Sequence, residues 1–251
     1  MSENIWSLKR CDLFERLTPV EKRRLETRAV MRTFKRKEII YSPTEPGESV
    51  LVVLRGKIKI KTITPDGKET IFAFFGEGEM FGELALLETE PRNEYAEAVE
   101  EAQILAIPRD DMLALMDQRH DIALYVYKLV GLRRRRIENR VKNILFRSNR
   151  ERVVALLLEF IETDGDQLPD GWQIRLELSH QDLANLIGAT RETVTLTLGK
   201  LKQERLIGIH RRRIKVLDRE RLAQELSGIA PDHAADAIRP GAVAPFQPKL
   251  L

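Results

Sequence analysis

The chain has 251 residues, 43% of them hydrophobic and 32% charged, a composition that is typical of a soluble globular protein with one or two domains and that excludes a fibre. Its formal net charge is only +3, so any affinity for nucleic acid must come from local clusters of Lys and Arg. The single cysteine excludes an internal disulfide and a cysteine-ligated iron–sulfur cluster, and no apolar run approaches the roughly 20 residues that span a bilayer. We therefore expect a cytoplasmic protein with no membrane partner.

The first third of the chain changes from a helical to a strand pattern. Residues 8–33 have a helical pattern, in which Thr18 followed by Pro19 is a typical helix start. From residue 34 to residue 108, short alternating apolar runs are separated by turn residues, among them the hairpin turn Asp66-Gly67. Evenly spaced strands of this kind predict a small antiparallel barrel or jelly roll.

One segment of the strand-rich region carries candidate effector-binding residues. The run FGELALL at residues 81–87 is followed by PRN at residues 91–93. A glycine lets backbone N–H groups approach an anion, a carboxylate can bind a ribose hydroxyl, and an arginine can bind a phosphate. The candidates are Gly82, Glu83, Leu84, Arg92 and Asn93. Two interpretations stay open: a pocket for a cyclic nucleotide, or an ion pair of Glu83 with Arg92 that fixes the loop of an empty pocket.

A long helix is predicted over residues 121–147, which contain no proline. Apolar residues recur in it every seven positions, a spacing that favours a helix–helix seam between two copies of the chain over a single helix packed on its own barrel. The predicted seam residues are Ala123, Val130, Ile137 and Ile144. Arg133 and Arg134 interrupt the seam and are expected to extend outward into solvent.

Residues 179–206 have the pattern of two short helices joined by a tight turn. Ser179 and Asp182 form a capping-box start, Gly188 suits the positive φ of the turn, and Thr190 caps the second helix. Arg191 and Glu192 lie off the apolar face of that helix, where Arg can bind guanine and Glu can accept from cytosine N4. This predicts a helix-turn-helix that reads DNA, the alternative being a plain helical hairpin with a solvated Arg-Glu pair.

A β-hairpin is predicted directly after the second helix, where Ile207 and Ile209 precede HRRR and Ile214 and Val216 follow it. A basic tip beside a recognition helix is where phosphate contacts are expected, so the unit is a winged helix-turn-helix. The candidate DNA-binding residues are Ser179, Gln181, Thr190, Arg191, Glu192, Thr195, Leu196, His210, Arg211, Arg212 and Arg213.

The remaining C-terminal segments are simpler. Ser148 and Asn149 predict a hinge and a helix cap before a helix over residues 151–161. A polar loop, TDGDQLPDG, then leads to an alternating strand over residues 173–178. The Ala/Pro-rich tail beyond Leu226 is expected to be disordered.

The motif FGELALL…PRN resembles the phosphate-binding cassette of cyclic-nucleotide-binding domains. Together with SHQDLANLIGATRETV, it makes residues 13–217 resemble the CRP/FNR family of bacterial transcription regulators. The resemblance implies an α+β protein with an antiparallel β-roll or jelly-roll sensor domain, a long dimerisation helix and a C-terminal winged helix-turn-helix that binds palindromic promoter DNA. The predicted boundaries are 1–120 for the sensor, 121–147 for the dimerisation helix, 148–225 for the DNA-binding domain and 226–251 for the tail.

Departures from the family pattern bear on the effector. Asn93 and Glu94 replace a hydroxyl residue and a small residue, and Ile137 and Glu138 stand where the cyclic-AMP-binding members place adenine-reading hydroxyls. The effector therefore stays unidentified, with a cyclic nucleotide as one candidate. No haem is expected, since the first histidine, His120, comes at the start of the long helix. By the resemblance, the acidic loop at residues 164–170 lies where some activators touch RNA polymerase.

These observations predict a homodimeric, sequence-specific DNA-binding regulator. The alternative is a nucleotide-binding regulatory module that acts on a protein partner, for which the basic wing and the Arg191-Glu192 pair would be unnecessary. No catalytic grouping is visible, so enzyme activity is not expected.

Overall fold

The computed structural model describes residues 12–88 and 90–226. The tail that is predicted to be disordered, from residue 227 on, lies outside them. The helices, in chain order, are Asp12–Glu15 (α1), Pro19–Arg28 (α2), Arg109–Gln118 (α3), His120–Phe146 (α4), Asn149–Asp164 (α5), His180–Ile187 (α6), Arg191–Gln203 (α7) and Arg219–Gln224 (α8). The strands are Val30–Phe34 (β1), Ile39–Tyr41 (β2), Ser49–Arg55 (β3), Ile58–Ile63 (β4), Glu69–Phe75 (β5), Met80–Phe81 (β6), Tyr95–Ala98 (β7), Ala102–Pro108 (β8), Gly165–Leu168 (β9), Gly171–Ile174 (β10), Ile207–His210 (β11) and Arg213–Val216 (β12).

Strands β1–β8 form the predicted antiparallel roll. One sheet has the strand order β1-β8-β3-β6 and the other β2-β7-β4-β5, with antiparallel pairing throughout. Apolar residues of both sheets pack between them, with Val53, Ile58 and Phe81 fully buried. The β4–β5 hairpin turns at Gly67, whose φ of +81° suits a residue without a side chain. The α+β prediction is confirmed.

The N-terminal helical pattern ends earlier than the sequence predicts. Thr18 caps α2 in a full capping box with Glu21, and Pro19 occupies its first turn, as expected. Residues 30–33, however, belong to β1 and not to a helix. Ala29 is extended, with φ −72° and ψ 143°, and Val30 then pairs with Ala106 of β8. The hydrogen bonds of a distant strand therefore override the local helical pattern here.

The long helix α4 matches its predicted span to within one residue at each end. Its 27 residues make it about 40 Å long. Ile122 and Val126, on its inner face, are fully buried against a core that includes Leu13, Phe14 and Met112. The first turns of α4 are thereby fixed to the N-terminal domain, which comprises α1–α3 and the roll.

The C-terminal domain comprises α5–α8 and a small sheet. Ser148 caps α5 in a capping box with Glu151, which confirms the predicted helix start. The predicted polar loop is wrong in part, because residues 165–168 and 171–174 pair as the hairpin β9–β10 and extend the sheet to the order β11-β12-β10-β9. The strand predicted over residues 173–178 accordingly starts at Gly171 and ends at Ile174. Gly171 permits this pairing, since a Cβ there would lie 2.2 Å from the Val216 carbonyl oxygen.

The two domains are in direct contact through β5. Ile71 is only 1% exposed and packs in the core of the C-terminal domain together with Leu183 and Leu186 of α6. The rings of Phe74 and Phe160 are 6.4 Å apart in an edge-on contact. Strand β5 therefore contributes side chains to the cores of both domains.

We expect Ile71→Ala to lower the free energy of unfolding by about 2–4 kcal/mol, because it opens a cavity where the domains meet. Ile63→Ala is the matched control, since Ile63 lies on the same hairpin and is 42% exposed, and it should cost less than about 1 kcal/mol. Urea denaturation followed by circular dichroism measures both. Equal losses in the two variants would show that β5 does not anchor the C-terminal domain.

Candidate nucleic-acid interface and effector pocket

Helices α6 and α7 are held at the angle of a helix-turn-helix by local caps. Ser179 accepts a hydrogen bond from the backbone N–H of Asp182 and completes a capping box at the start of α6. Gly188 ends α6 at φ +67°, and Thr190 accepts from the backbone N–H of Thr193 at the start of α7. Each of these features follows from the sequence pattern. The hydroxyls of Ser179 and Thr190 are consequently engaged in capping.

Helix α7 divides into a buried and an exposed face. Val194, Leu198 and Leu201 are at most 1% exposed and pack in the C-terminal core. Arg191, Glu192, Thr195 and Leu196 are exposed on the other face. Leu196 is 68% exposed, so it does not turn inward beside Val194. The exposed face therefore presents the side chains that the sequence assigns to base contacts.

His180 is a neighbour of this face that the sequence pattern did not reveal. Its Nδ1 lies 2.7 Å from Thr195 Oγ1, and Thr195 Oγ1 donates to the Arg191 carbonyl oxygen at 2.8 Å. His180 Nδ1 is then the donor to the Thr195 hydroxyl. On the same helix, Gln181 is exposed and its Nε2 donates to Asn185 Oδ1 at 2.8 Å. Nothing in the spacing of the two helices indicates the His180–Thr195 contact.

The wing forms as predicted from strands β11 and β12. Ile209 pairs with Ile214 and His210 with Arg213, so that Arg211 and Arg212 form the two-residue turn. Arg211 adopts φ +55° there. All four residues from His210 to Arg213 are exposed, although Arg213 Nε also donates to Glu177 Oε1 at 3.1 Å. Arg211 and Arg212 are thus the most prominent cations of the tip.

The candidate effector-binding segment, residues 81–94, is called the cassette below. It is folded around Gly82, with φ +70°, and a short 3₁₀ turn over Glu83–Leu86. Glu83 is only 8% exposed and forms an ion pair with Arg133 of α4. Arg133 also donates to the Met80 carbonyl oxygen, and its guanidinium lies 4.6 Å from the centroid of the Phe75 ring. The expectation that Arg133 extends into solvent is wrong, because a buried carboxylate, a carbonyl and an aromatic face together hold its charge inside.

Arg92 has partners other than Glu83. It donates to the Ser49 carbonyl oxygen at 2.7 Å, and its guanidinium lies 4.1 Å from the centroid of the Tyr41 ring. Gly82 leaves room for it, since a Cβ there would lie 2.7 Å from Arg92 Nη1. The interpretation of an internal Glu83–Arg92 pair is therefore replaced by two separate attachments, Glu83 to α4 and Arg92 to the roll.

A second carboxylate faces this cassette. Glu94 accepts a hydrogen bond from the Tyr41 hydroxyl at 2.9 Å. Burial raises the pKa of Glu94, and the charge of Glu83 raises it further, although the bond from Tyr41 opposes the shift. A phosphate placed here would meet both carboxylates. Asn93, by contrast, is exposed.

A cavity of about 890 Å³ lies beside the cassette. Gly82, Glu83, Leu84 and Glu94 form its wall on the cassette side. The other walls come from β5, from α4 and from α5 of the C-terminal domain, with Phe72, Phe74, Phe75, Val130, Arg133, Ile137, Phe160 and Asp164 among the lining residues. The cavity is therefore lined by the roll, by the long helix α4 and by the C-terminal domain.

We expect Glu94→Gln to stabilise the protein at neutral pH. The folded state binds a proton at Glu94 more tightly than the unfolded chain does, because the pKa is raised above its ordinary value of 4.5. The stabilisation from this proton is present below that value and is lost as the pH rises through the folded pKa. Urea denaturation should therefore show the variant to be more stable than wild type at about pH 7.5, with the difference vanishing near about pH 4. A constant difference across this range would contradict the assignment.

The predicted seam residues of α4 are only partly exposed. Ala123 and Val130 are half-buried, whereas Ile137 and Ile144 are 54% and 44% exposed. A stripe in which every residue is exposed lies beside them on the same helix. We call it the seam stripe: Leu124, Tyr127, Gly131, Arg134, Glu138, Val141 and Leu145. The seven-residue repeat thus marks the edge of this exposed surface and not its centre.

Two family models match the chain in the order of these domains. A cyclic nucleotide-binding domain matches residues 31–119, and a Crp-like helix-turn-helix domain matches residues 151–225. The global nitrogen regulator of Synechococcus elongatus is 33% identical over 196 residues, which cover 77% of this chain and 88% of that protein. The chain belongs to the CRP/FNR family of transcription regulators.

Two further similar proteins agree with this assignment. The CRP-like cAMP-activated global transcriptional regulator of Mycobacterium tuberculosis is 27% identical over 217 residues, which cover 86% of this chain and 97% of that one. The solved structure of FixK2 from Bradyrhizobium japonicum superposes with a TM-score of 0.69 at 25% identity, over 78% of this chain and 96% of that one. The protein is a CRP-like transcription regulator with a DNA-binding helix-turn-helix domain. Among the helices at residues 12–88 and 90–226, none is long and apolar enough to cross a membrane.

Proposed function

We propose that this regulator acts as a homodimer that reads a two-fold symmetric DNA site with the exposed face of α7. The observation that carries the proposal is the placement of exposed Arg191 and Glu192 in the first turn of α7, beside the basic tip of the wing. Side chains at the start of a recognition helix reach base edges, and cations at a hairpin tip reach the flanking phosphates.

Individual residues have distinct proposed roles at the DNA. Arg191 donates to guanine O6 and N7, and Glu192 accepts from cytosine N4. Leu196 packs against a thymine methyl, since it is exposed and cannot donate a hydrogen bond. His180 holds the Thr195 hydroxyl in place. The cap residues Ser179 and Thr190 contribute by orienting α6 and α7. Gln181 and the wing residues His210 to Arg213 contact the sugar-phosphate backbone of the DNA.

The dimer is supported by the seam stripe of α4. Leu124, Tyr127, Val141 and Leu145 are 49–67% exposed on one side of the helix. Apolar residues at this spacing form a two-stranded coiled coil when a second copy covers them. A two-fold dimer places two recognition helices on successive turns of the DNA, so palindromic sites follow from the symmetry.

We propose that the cavity beside the cassette takes the effector, with a nucleotide as the class that the cassette suggests. The cavity has walls from the roll, α4 and α5, so an occupant contacts both domains. A ribose hydroxyl would have to compete with Arg133 for Glu83. Isothermal titration calorimetry with cyclic AMP and cyclic GMP tests this, and no binding by either at about millimolar concentration would exclude these nucleotides.

The remaining proposals concern domain boundaries, location and partners. We place the sensor domain at residues 1–120, the dimerisation helix at 121–147, the DNA-binding domain at 148–225 and the tail at 226–251. We also propose that the protein is cytoplasmic and is not an enzyme. The β9–β10 hairpin, in place of the predicted loop at residues 164–170, is the candidate RNA polymerase contact. The alternative of a module that acts on a protein partner is disfavoured by the exposed Arg191-Glu192 pair and the basic wing.

Selection from random DNA duplexes tests the proposal. Full-length protein should enrich a palindrome whose half-sites are separated by about one helical turn, with affinity that falls steeply as salt rises. Enrichment of a single half-site would argue against the dimer. No enrichment of any duplex, together with retained effector binding, would favour the protein-partner alternative.

A further inference from the structure

The seam stripe carries two charged residues at its middle. Arg134 and Glu138 are exposed on the same side of α4 as Tyr127 and Val141. Within the helix, Arg134 Nε lies 2.8 Å from Glu138 Oε1, and the two side chains are 80% and 51% exposed. An exposed pair of this kind contributes little to a single helix. Its position among apolar residues points to a role outside the single chain.

The spacing of the stripe assigns these charges to core positions of a coiled coil. Its members follow one another at alternating intervals of three and four residues from Leu124 to Leu145, which are the intervals of a and d positions. With Leu124 at a, Arg134 occupies a d position and Glu138 the following a position. Gly131, at the a position before them, has nothing within 4 Å of an added Cβ, so it leaves space for a neighbouring helix.

We propose that Arg134 and Glu138 form a polar layer in the dimer seam, where each Arg134 pairs with Glu138 of a second copy of the chain. In a parallel two-stranded coil, a d side chain packs into a hole of the facing helix that includes its a position. Two-fold symmetry then forms both cross-pairs at once, and the charges are complementary without rearrangement of α4. The inference rests on the proposed dimer, and it adds the ion pairs that fix the register of the two α4 helices.

The pairing sets register and partner choice more than affinity. A charged pair inside an apolar seam gains little over an apolar pair, because both groups lose hydration. A shift of one heptad, however, would leave Arg134 against Tyr127 or Val141. It would leave Glu138 against Gly131 or Leu145. Arg134 and Glu138 also line the cavity beside the cassette. The layer therefore lies where the dimer seam meets the proposed effector pocket.

A charge-reversal experiment on full-length protein tests the cross-pairing. Arg134→Glu would bring four carboxylates together in a homodimer, and Glu138→Arg would bring four guanidinium groups together. Each variant alone should raise the dimer Kd by roughly 100-fold, as like charges in a seam do. An equimolar mixture should form a heterodimer as tight as wild type, since two glutamates of one chain then face two arginines of the other. Native mass spectrometry separates the three species because their masses differ.

Two further variants serve as controls. The double variant Arg134→Glu/Glu138→Arg restores both pairs and should dimerise like wild type, with circular dichroism reporting that α4 still folds. Arg136→Glu makes the same change of charge at an exposed site on the opposite side of α4 from Arg134 and Glu138, and it should leave the dimer intact.

The outcomes separate this inference from the proposed function. If the two single variants are monomeric and their mixture stays monomeric, the pair acts within one helix only and the cross-pairing is wrong. If both single variants remain as dimeric as wild type while Val141→Asp dissociates, the polar layer is wrong and the dimer on α4 stands. Heterodimer formation from two monomeric variants confirms the layer.

Discussion

Replacing Arg191 with alanine is expected to abolish most sequence preference at one base pair of each half-site. Arg191 is exposed at the first position of α7, where a guanidinium can bond guanine O6 and N7 together. Its loss should cost about 1–3 kcal/mol per half-site on the selected sequence and almost nothing on random duplexes. Fluorescence anisotropy with a selected and a scrambled duplex at fixed salt measures both affinities.

Arg212→Gln is the matched control for this prediction. Arg212 lies at the exposed turn of the wing and is assigned to phosphate. Its loss should weaken binding to both duplexes alike and reduce the slope of log K against log salt concentration by about one per half-site, and so by about two for the dimer. If Arg191→Ala lowered both affinities equally, Arg191 would be a phosphate contact and the assignment of base reading to the start of α7 would be wrong.

The second large effect is expected for Val141→Asp on the seam stripe. Val141 is 49% exposed in the single chain, and a second copy of α4 would bury it. An aspartate would then place two like charges across an apolar seam without partners, so the dimer should dissociate at micromolar concentration. Affinity for the palindrome should fall about 10²–10⁴-fold, because two half-sites held by one dimer bind with high effective concentration.

Leu132→Asp controls for a charge on the same helix. Leu132 has a similar exposure of 41%, but it lies about 100° around the helix from Gly131, the nearest residue of the seam stripe along the chain. Sedimentation equilibrium should show a dimer for Leu132→Asp and a monomer for Val141→Asp. A dimer in both cases would place the subunit contact elsewhere than on α4.

The arrangement of the cavity suggests how an effector and DNA affect each other. Strand β5 supplies Phe72 and Phe74 to the cavity and Ile71 to the core of the C-terminal domain. Arg140 of α4 donates to the Phe72 carbonyl oxygen and lies 3.6 Å from Glu159 of α5. A ligand that moves β5 therefore also moves a wall of the DNA-binding domain, which is the type of coupling that links two sites through one packed element.

Local chemistry made several parts of this protein predictable from sequence. The caps at Thr18, Ser148, Ser179 and Thr190 act over three residues, and the turn at Gly188 needs only a residue that tolerates positive φ. The wing and the long helix likewise depend on periodicity within one segment. Such interactions join neighbours in the chain, so the pattern of residue types is sufficient to specify them.

Contacts between distant residues were decided only by the tertiary structure. Arg133 has the charge of a surface residue, and only the roll brings Glu83, 50 positions earlier, to its guanidinium. Val30 joins a strand because β8 offers hydrogen bonds to it, and Ile71 enters a second core because α6 packs on β5. The sequence by itself determined the order of the elements and which face of α7 is exposed. The tertiary structure decided which charged side chains are buried and to which domain core each strand contributes. A buried charge or an unpaired strand edge is stable only with a partner, and folding brings that partner from a distant part of the chain.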